Sequence, residues 1–424
     1  MFKQFQIPDH GGSSVALGAA SAMAPTDACN NAPLDLFNSL PGASPREMKS
    51  DAPALAEAVD AMGVRLAARQ YAEACLDLAK ADVSALVSRK DDSALPRGNA
   101  AIKNIGVRRS APRALSLREE MPHAVRAYDY LAACVRRLMA SAGNGMLDTG
   151  SVAPAIEGLI GSLERNPDAL LCLPRMRQRD AYIYTHSVNV SVLLAAFAMQ
   201  AGGDHTKIAT YALAGLFHDL GKALLPVSLL NARRKLGPTE QTLVTRHPML
   251  GCDLLAVLPD LRSEVLLATL EHHERYDGSG YPKGLYGDAI SEMGHLTGIA
   301  DTYDALSSRR PYKGSLFPHR TLGVMYQMRK KQFHPVLMEK FVRLVGIYPV
   351  GSVVELKDGY RGVVTAGNYA NPMQPVVTLA LDPGGNSMRQ HECDLARDGV
   401  AAIARCLPPE LSGIDPCHAL GLAL

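Results

Sequence analysis

Histidine and aspartate residues that could bind metal ions concentrate in the middle of this chain. Six of its thirteen histidines fall between residues 186 and 273, and five of these six stand beside other residues of suitable chemistry. Imidazole nitrogens and carboxylate oxygens are ligands that divalent transition metals prefer in proteins. If these side chains converge on one centre, the chain can perform metal-assisted hydrolysis.

The adjacent pair His218 and Asp219 is the first candidate. It follows the apolar stretch YALAGLF, which predicts a helix, and Gly221 permits a turn just after it. Neighbouring imidazole and carboxylate groups can bind the same ion where a helix ends, and the two oxygens of a carboxylate can also bridge two ions. Lys222 stands in an otherwise apolar run and needs an anion nearby, which strengthens the interpretation as a site.

Four further histidines are ambiguous when taken singly. His186 shares the apolar stripe of a predicted helix, YIYTHSVNVSVLLAAF, and alone is typical of a core histidine. His247 precedes a proline, which places it at the start of a helix. His272 and His273 are adjacent, so either one is buried and the other exposed, or both face inward toward a shared cation.

The stretch GIADTYDALSSRRPYK supplies a carboxylate and a local basic cluster. Asp301 shares one side of a predicted helix with small and apolar residues, and a buried carboxylate is rare unless it is paired or binds a metal. Asp304, one turn later, is either a hydrogen-bond acceptor for such a ligand or a local structural group. A basic cluster such as Arg309, Arg310 and Lys313, taken by itself, is typical of a solvated surface. The cluster could also bind an anionic ligand.

Five histidines and two aspartates are therefore the candidate metal ligands. They are His186, His218, Asp219, His247, His272, His273 and Asp301. Nitrogen and oxygen ligands without thiolate favour iron or manganese, with nickel or zinc as alternatives. Seven ligands exceed the needs of one tetrahedral ion, so we expect two divalent metal ions, an arrangement common in phosphoester hydrolysis.

Six motifs in this order resemble the HD-GYP family, a branch of the HD phosphohydrolases associated with cyclic di-GMP hydrolysis. They are HSVNV at 186, HDLGK at 218, RHP at 246, HHERYDGSGYP at 272, IADTYDAL at 299 and RPYK at 310. The resemblance covers about residues 118 to 342. It implies that the seven candidates are metal ligands and that Asp219 bridges the two ions.

The resemblance also implies roles for residues that contact substrate. Lys222 matches a lysine that contacts the scissile phosphate, and with Asp219 it forms the expected catalytic pair. Gly280, Tyr281 and Pro282 form a loop at the rim of the site, where Tyr281 either contacts the ligand or only supports the loop. The remaining expected contacts, with the phosphates of the nucleotide, come from Arg310 and Lys313.

The activity implied is that of a metal-dependent phosphodiesterase. It would hydrolyse cyclic di-GMP to linear pGpG, with further cleavage to GMP left open, and would lower the level of this second messenger in bacterial signalling. One alternative is hydrolysis of another cyclic dinucleotide, such as cyclic GMP-AMP. The other is a receptor that binds cyclic di-GMP without hydrolysis, or an interaction partner of diguanylate cyclase (GGDEF) proteins.

Three positions depart from the pattern of the family. Tyr182 stands where some members have a glutamate that supports a third metal, which favours two ions here. Arg309 replaces a residue that is usually acidic, so the charge at the mouth of the site differs. His334 stands where aspartate is common; we expect this change either to be neutral or to loosen the last helix of the domain.

Composition limits the partners and the compartment. The chain has 424 residues, of which 47% are hydrophobic and 20% charged, as in soluble globular proteins of two or three domains. Its net charge of +2 argues against a nucleic acid polymer as partner. We expect no membrane span and no signal peptide. The eight scattered cysteines contain no Cys-x-x-Cys pair and indicate a cytoplasmic protein.

The chain divides into four regions of different character, and we expect a mainly α fold. Residues 1–117 form an N-terminal region of unknown function, partly disordered, with a helical segment at about 52–88; this segment either forms a homodimer, receives a signal or is an inert extension. Residues 118–345 form an all-helical HD-GYP catalytic domain. Residues 346–410 form a small β module with a hairpin at Asp358-Gly359, and residues 411–424 form a tail.

Overall fold

The structure of the protein is a computed structural model. It describes residues 114–144, 146–176, 182–232, 234–308, 318–368, 370–397, 402–408 and 412–420, without the side chains at 175–176 and 182–183. The predictions for residues 1–113, for the side chain of Tyr182 and for the basic cluster at 309–313 lie outside the described residues. They stay predictions.

Helices make up most of the described chain up to residue 345, which confirms the mainly α fold class. They are α1 Leu117–Gly143, α2 Val152–Arg165, α3 Pro167–Met176, α4 Tyr182–Gln200, α5 His205–Phe217, α6 Val227–Leu230, α7 Pro238–Val244, α8 His247–Leu255, α9 Ser263–Glu271, α10 Glu292–Ser307, α11 Pro318–Gln327 and α12 Pro335–Val345, with short 3₁₀ helices at Leu220–Leu224 and Gly287–Ala289. None of the helices described combines the length and apolar character needed to cross a lipid bilayer.

The helix α4 lies at the centre of the bundle. The sequence predicts an apolar stripe on one side of this helix, but every residue from 186 to 198 is buried, so the helix is enclosed on all sides. Helix α5 packs closely against it because Gly215 has no side chain; a Cβ there would clash with the backbone of Ser191. This close approach brings the start of α4 near the end of α5.

Five antiparallel strands follow the helices, which confirms the small C-terminal β module. They are β1 Val353–Leu356, β2 Arg361–Ala366, β3 Val376–Leu381, β4 Ser387–Asp394 and β5 Ile403–Leu407, in the order β4-β3-β2-β1-β5. The predicted hairpin joins β1 to β2, with Gly359 at a positive φ of 91°. The sheet shares one continuous apolar core with the helices, in which Val354 and Val364 join Leu337 and Phe341.

The segment after the sheet contains a short helix, α13 Pro416–Ala419. Ile414 and Leu420 pack with Val353, Val363 and Leu381, so the described part of the predicted tail covers one face of the sheet. The proposed limits of the four regions stay predictions.

His334 caps the N-terminus of α12. Its imidazole accepts a hydrogen bond from the backbone N–H of Leu337 at 3.4 Å, as an aspartate would at this position. The cap favours the neutral alternative for this departure from the family pattern.

Candidate metal centre

Five helices bring the seven candidate ligands to one place. His186 lies on α4, His218 and Asp219 follow α5, His247 begins α8, His272 and His273 follow α9, and Asp301 lies on α10. All seven residues are buried. At Asp219 the backbone leaves α geometry and enters a 3₁₀ helix, which lets two adjacent side chains face the same centre.

Asp219 belongs to two groups of potential ligands. Potential ligand atoms lie within 4.8 Å of one another in each group; the groups are His186, His218 and Asp219, and Asp219, His247, His272 and His273. The Oδ2 atom of Asp219 lies 3.6 Å from the Nε2 of His186 and 3.4 Å from that of His218. Its Oδ1 atom lies 3.2 Å from the Nε2 of His247 and 3.7 Å from that of His272. Each carboxylate oxygen therefore faces a different pair of histidines.

Asp301 stands beside the first group. Its Oδ1 atom lies 3.1 Å from the Nε2 of His186. Burial would raise the pKa of Asp301, but the hydrogen bond from His186 and the charges nearby outweigh it and hold the pKa well below the usual range. The carboxylate is therefore ionised and faces the same point as the imidazole.

Backbone carbonyls fix the tautomers of three histidines. The Nδ1 atoms of His218, His247 and His272 lie 2.8, 2.8 and 2.9 Å from the carbonyl oxygens of Gly215, Val244 and Thr269, respectively. Because a carbonyl only accepts, each Nδ1 carries the proton, and in the neutral ring Nε2 keeps a lone pair. Hydrogen bonds of this kind orient metal-binding histidines.

The inward-facing atoms fit a bound cation. The Nε2 atoms of His247 and His272 are 3.2 Å apart, and their tautomers leave no proton between them. Burial lowers the pKa of both residues, to about 4 for His272, so they are neutral at pH 7. Among the described residues, the Nε2 of His218 and the Oδ1 of Asp219 are buried without a hydrogen-bond partner. Lone pairs that converge in this way are suited to bind a divalent metal.

His186 lies between two carboxylates. Its Nδ1 is 2.7 Å from the Oδ2 of Asp304, while its Nε2 faces Asp301. Burial lowers the pKa of His186, but the bonds to Asp301 and Asp304 outweigh it and raise the pKa to about 9. Of the two alternatives for Asp304, the structure supports the acceptor that orients a candidate ligand.

Lys222 forms an ion pair with the shared carboxylate. Its Nζ lies 2.6 Å from the Oδ2 of Asp219, and its side chain is 26% exposed. Burial would raise the pKa of Asp219, but Lys222 and His218 outweigh it and hold that pKa well below the usual range. The ammonium group thus lies between the buried carboxylate and the exposed side of the site.

The Gly280-Tyr281-Pro282 loop packs directly on the backbone after α9. A Cβ at Gly280 would clash with the backbone of residues 273–275, so only glycine fits there. The ring of Tyr281 stacks on the imidazole of His273. The loop therefore lies next to the second group of potential ligands.

Two buried carboxylates that the sequence analysis did not select accept hydrogen bonds from backbone N–H groups between this loop and the start of α10. Glu274 accepts hydrogen bonds from the backbone N–H groups of Lys283 at 2.7 Å and Leu285 at 2.9 Å. Glu271 accepts one from the N–H of Ser291 at 2.8 Å. The signal for both was an acidic residue beside a glycine-rich loop that must satisfy its backbone donors.

Comparisons with known proteins agree with this geometry. A family model for the HD domain matches residues 171–337. A cyclic di-GMP phosphodiesterase of Pseudomonas aeruginosa is 35% identical over 291 residues, which are 68% of this chain and 70% of that protein. The cyclic di-GMP phosphodiesterase response regulator RpfG of Xanthomonas campestris is 35% identical over 182 residues, 42% of this chain and 48% of that protein.

A third relative bears a different substrate in its name. The 3'3'-cGAMP-specific phosphodiesterase 1 of Vibrio cholerae is 32% identical over 172 residues, which are 41% of this chain and 40% of that protein. With its HD domain, its cluster of histidines and aspartates that could hold metal ions and its Gly-Tyr-Pro loop, this chain belongs to the HD-GYP family of the HD phosphohydrolases.

Proposed function

We propose that this protein is a metal-dependent phosphodiesterase that hydrolyses cyclic di-GMP to linear pGpG. The observation that carries the proposal is the shared carboxylate of Asp219, whose two oxygens face two separate groups of histidines. This is the arrangement expected of a two-metal site for phosphoester hydrolysis. The names of the Pseudomonas and Xanthomonas relatives support cyclic di-GMP as the substrate.

The seven candidate ligands divide between two ions in this proposal. The first ion takes His186, His218, Asp219 and Asp301; the second takes Asp219, His247, His272 and His273. Nitrogen and oxygen donors favour iron or manganese over a metal that prefers thiolate. Two divalent ions held there would lower the pKa of a water molecule toward neutrality and offset charge on the phosphoryl oxygens.

Among the residues of the chain, Asp219 and Lys222 are assigned catalytic roles. In the reaction, water attacks a phosphorus in line with the ribose 3′ oxygen, the P–O3′ bond breaks and the ring opens. Lys222 is partly exposed beside Asp219, so its ammonium group can reach a phosphoryl oxygen and stabilise the charge that grows there. Because two bonds link the nucleotides, a second cleavage would give GMP.

The rim of the site provides the expected substrate contacts. Gly280, Tyr281 and Pro282 lie next to His273, within reach of a ligand bound at the second ion. Arg310 and Lys313 are proposed from the sequence motif alone as phosphate contacts.

The decisive experiment is a turnover assay on the full chain. Purified protein is loaded anaerobically with Fe²⁺ or Mn²⁺ and incubated with cyclic di-GMP, and the products are separated by liquid chromatography. We expect pGpG to accumulate, with GMP appearing later if the second bond is cleaved. If the protein binds cyclic di-GMP tightly but forms no product with either metal, it is a receptor and not an enzyme.

Cyclic GMP-AMP is the second candidate substrate, because one relative is named for its action on that molecule. Metal ions held by the candidate ligands would contact phosphates rather than bases, so the metal centre cannot discriminate the two. Parallel kcat/KM values for cyclic di-GMP and cyclic GMP-AMP decide between them. A ratio above about tenfold assigns the substrate.

Association with GGDEF proteins, a homodimer and a cytoplasmic location remain proposals from the sequence. Light scattering of the purified chain measures its mass and so tests for a dimer. Co-purification with a diguanylate cyclase tests for the association with GGDEF proteins. A monomer that retains turnover would remove dimer formation from the mechanism.

A further inference from the structure

A chain of buried hydrogen bonds connects α1 to the candidate metal centre. The hydroxyl of Tyr128 donates to the Oδ1 of Asn189 at 2.7 Å, and the Nδ2 of Asn189 donates to the Oδ1 of Asp304 at 2.8 Å. The other oxygen of Asp304 lies 2.7 Å from the Nδ1 of His186. Three helices, α1, α4 and α10, therefore contribute to the orientation of one candidate metal ligand.

The direction of each bond in this chain is fixed. The carboxylate oxygen of Asp304 accepts, so Asn189 must present its NH₂ group to it. The amide oxygen of Asn189 then faces Tyr128, whose hydroxyl must donate. His186 likewise donates its Nδ1 proton to Asp304, and this leaves Nε2 directed toward Asp301 and Asp219.

The residues of this chain are buried. Tyr128 is 2% exposed, Asn189 4% and Asp304 2%. Hydrogen bonds among such buried groups are stronger than in water, and loss of one partner leaves the next group unsatisfied. Asn189 therefore cannot rotate without a cost at Asp304.

We propose that Asn189 and Tyr128 are positioning residues that hold Asp304, and through it His186, in the geometry that binds the first metal ion. The inference rests on the proposed metal centre and extends it beyond the HD domain match, because Tyr128 lies on α1, before residue 171. Neither residue belongs to the two groups of potential metal ligands.

The proposal distinguishes the two metal positions. His247 and His272 are oriented by carbonyl groups of their own helical segments, at Val244 and Thr269. Only His186 depends on the chain from Tyr128. Loss of the chain should therefore weaken one metal equivalent and leave the other unchanged.

The test is a calorimetric titration of the metal-free full chain with Mn²⁺. Asn189→Leu keeps the approximate volume but removes both hydrogen bonds, and we expect one of the two Mn²⁺ equivalents to bind about 10-fold more weakly. Tyr128→Phe removes one oxygen atom and should weaken the same equivalent about 3-fold. In the double variant the Tyr128 change should add nothing, because it acts only through Asn189.

Two matched controls separate positioning from general loss of stability. Ser191→Ala removes a buried hydrogen bond on the same helix, from Ser191 Oγ to the carbonyl of Ala212. Tyr211→Phe removes a tyrosine hydroxyl that donates to Glu292 at 2.6 Å. We expect both controls to bind two Mn²⁺ equivalents as the unmodified protein does.

Unchanged Mn²⁺ binding by both Asn189→Leu and Tyr128→Phe would overturn the inference, as would additive effects in the double variant. If Asn189→Leu fails to fold, the conservative substitution Tyr128→Phe, which removes one oxygen atom, still tests the inference. An unmodified protein that binds Mn²⁺ but hydrolyses no cyclic dinucleotide would overturn the proposed function and leave the positioning chain intact. A protein that binds neither Mn²⁺ nor Fe²⁺ would overturn both.

Discussion

Tyr281 stacks on His273, with ring centroids 4.7 Å apart and planes 28° apart. The backbone N–H of Tyr281 also donates to the carbonyl of His273 at 3.2 Å. Two contacts therefore join the loop to a candidate metal ligand whose Nδ1 has no hydrogen-bond partner among the described residues. For His273 the ring of Tyr281 takes the place of the orienting hydrogen bond that the other histidines have.

The first prediction concerns this stack. Tyr281→Phe keeps the ring and should bind Mn²⁺ as the unmodified protein does, whereas Tyr281→Ala removes the support of His273 and should weaken the second Mn²⁺ equivalent about 10-fold. The measurement is calorimetric titration without substrate. If Tyr281→Ala binds Mn²⁺ normally but raises KM, the ring contacts the nucleotide instead.

The second prediction concerns the shared carboxylate. Asp219→Asn replaces one oxygen by an NH₂ group, which cannot bind a cation, so one side of the bridge is lost. We expect the protein to lose at least one metal equivalent by elemental analysis, and kcat to fall by more than about 100-fold. Asp260→Asn, on the exposed surface, is the matched control and should change neither quantity. Full turnover by Asp219→Asn would show that this carboxylate does not bridge the ions.

The third prediction separates catalysis from metal binding at Lys222. Lys222→Ala removes a cation that competes for the Oδ2 of Asp219, so metal affinity should stay the same or rise. The rate should fall by about 100-fold, because a charge that stabilises the transition state is lost. The control is Lys235→Ala, an exposed lysine outside the site. Loss of metal from Lys222→Ala would assign the lysine a structural role.

The fourth prediction concerns pH. The pKa of His186 is raised to about 9 in the metal-free protein, so its ring carries two protons at about pH 7.5. Metal binding must displace the Nε2 proton, and we therefore expect release of about one proton and an affinity that rises with pH up to about 9. His272, with a pKa of about 4, is already neutral and releases none. Calorimetry in buffers of different ionisation enthalpy measures the proton count, and a count of zero near neutral pH would contradict the assignment.

The fifth prediction concerns the support of the loop by Glu274. Glu274→Gln leaves one carbonyl oxygen for the two N–H groups of Lys283 and Leu285, so one of these donors loses its partner. We expect KM for the cyclic dinucleotide to rise about 10-fold with little change in metal affinity. Steady-state kinetics with a Mn²⁺ titration measure both quantities. A loss of metal without a change in KM would show that Glu274 supports the candidate metal ligand His273 and not the loop proposed to contact substrate.

The sequence predicted the mainly α fold and the C-terminal β module correctly and supplied the candidate ligands, because element type and ligand chemistry depend on local information. Apolar periodicity indicated the helices, and Asp358-Gly359 indicated the hairpin that joins β1 to β2. The pairing of imidazole with carboxylate indicated metal binding from side-chain chemistry alone. The side chain of His334 was harder to interpret, because its capping bond to Leu337 depends on the rotamer.

The tertiary structure decided how these residues work together. His186 and Asp304 are 118 positions apart, and no local pattern shows that one orients the other. The same holds for Tyr128 and Asn189, 61 positions apart, which the sequence analysis did not select. The sequence alone determined which side chains can bind a metal, since that property belongs to each residue. Which oxygen of Asp219 faces which histidine was decided only by the packing of five helices, because distances between remote residues arise from that packing.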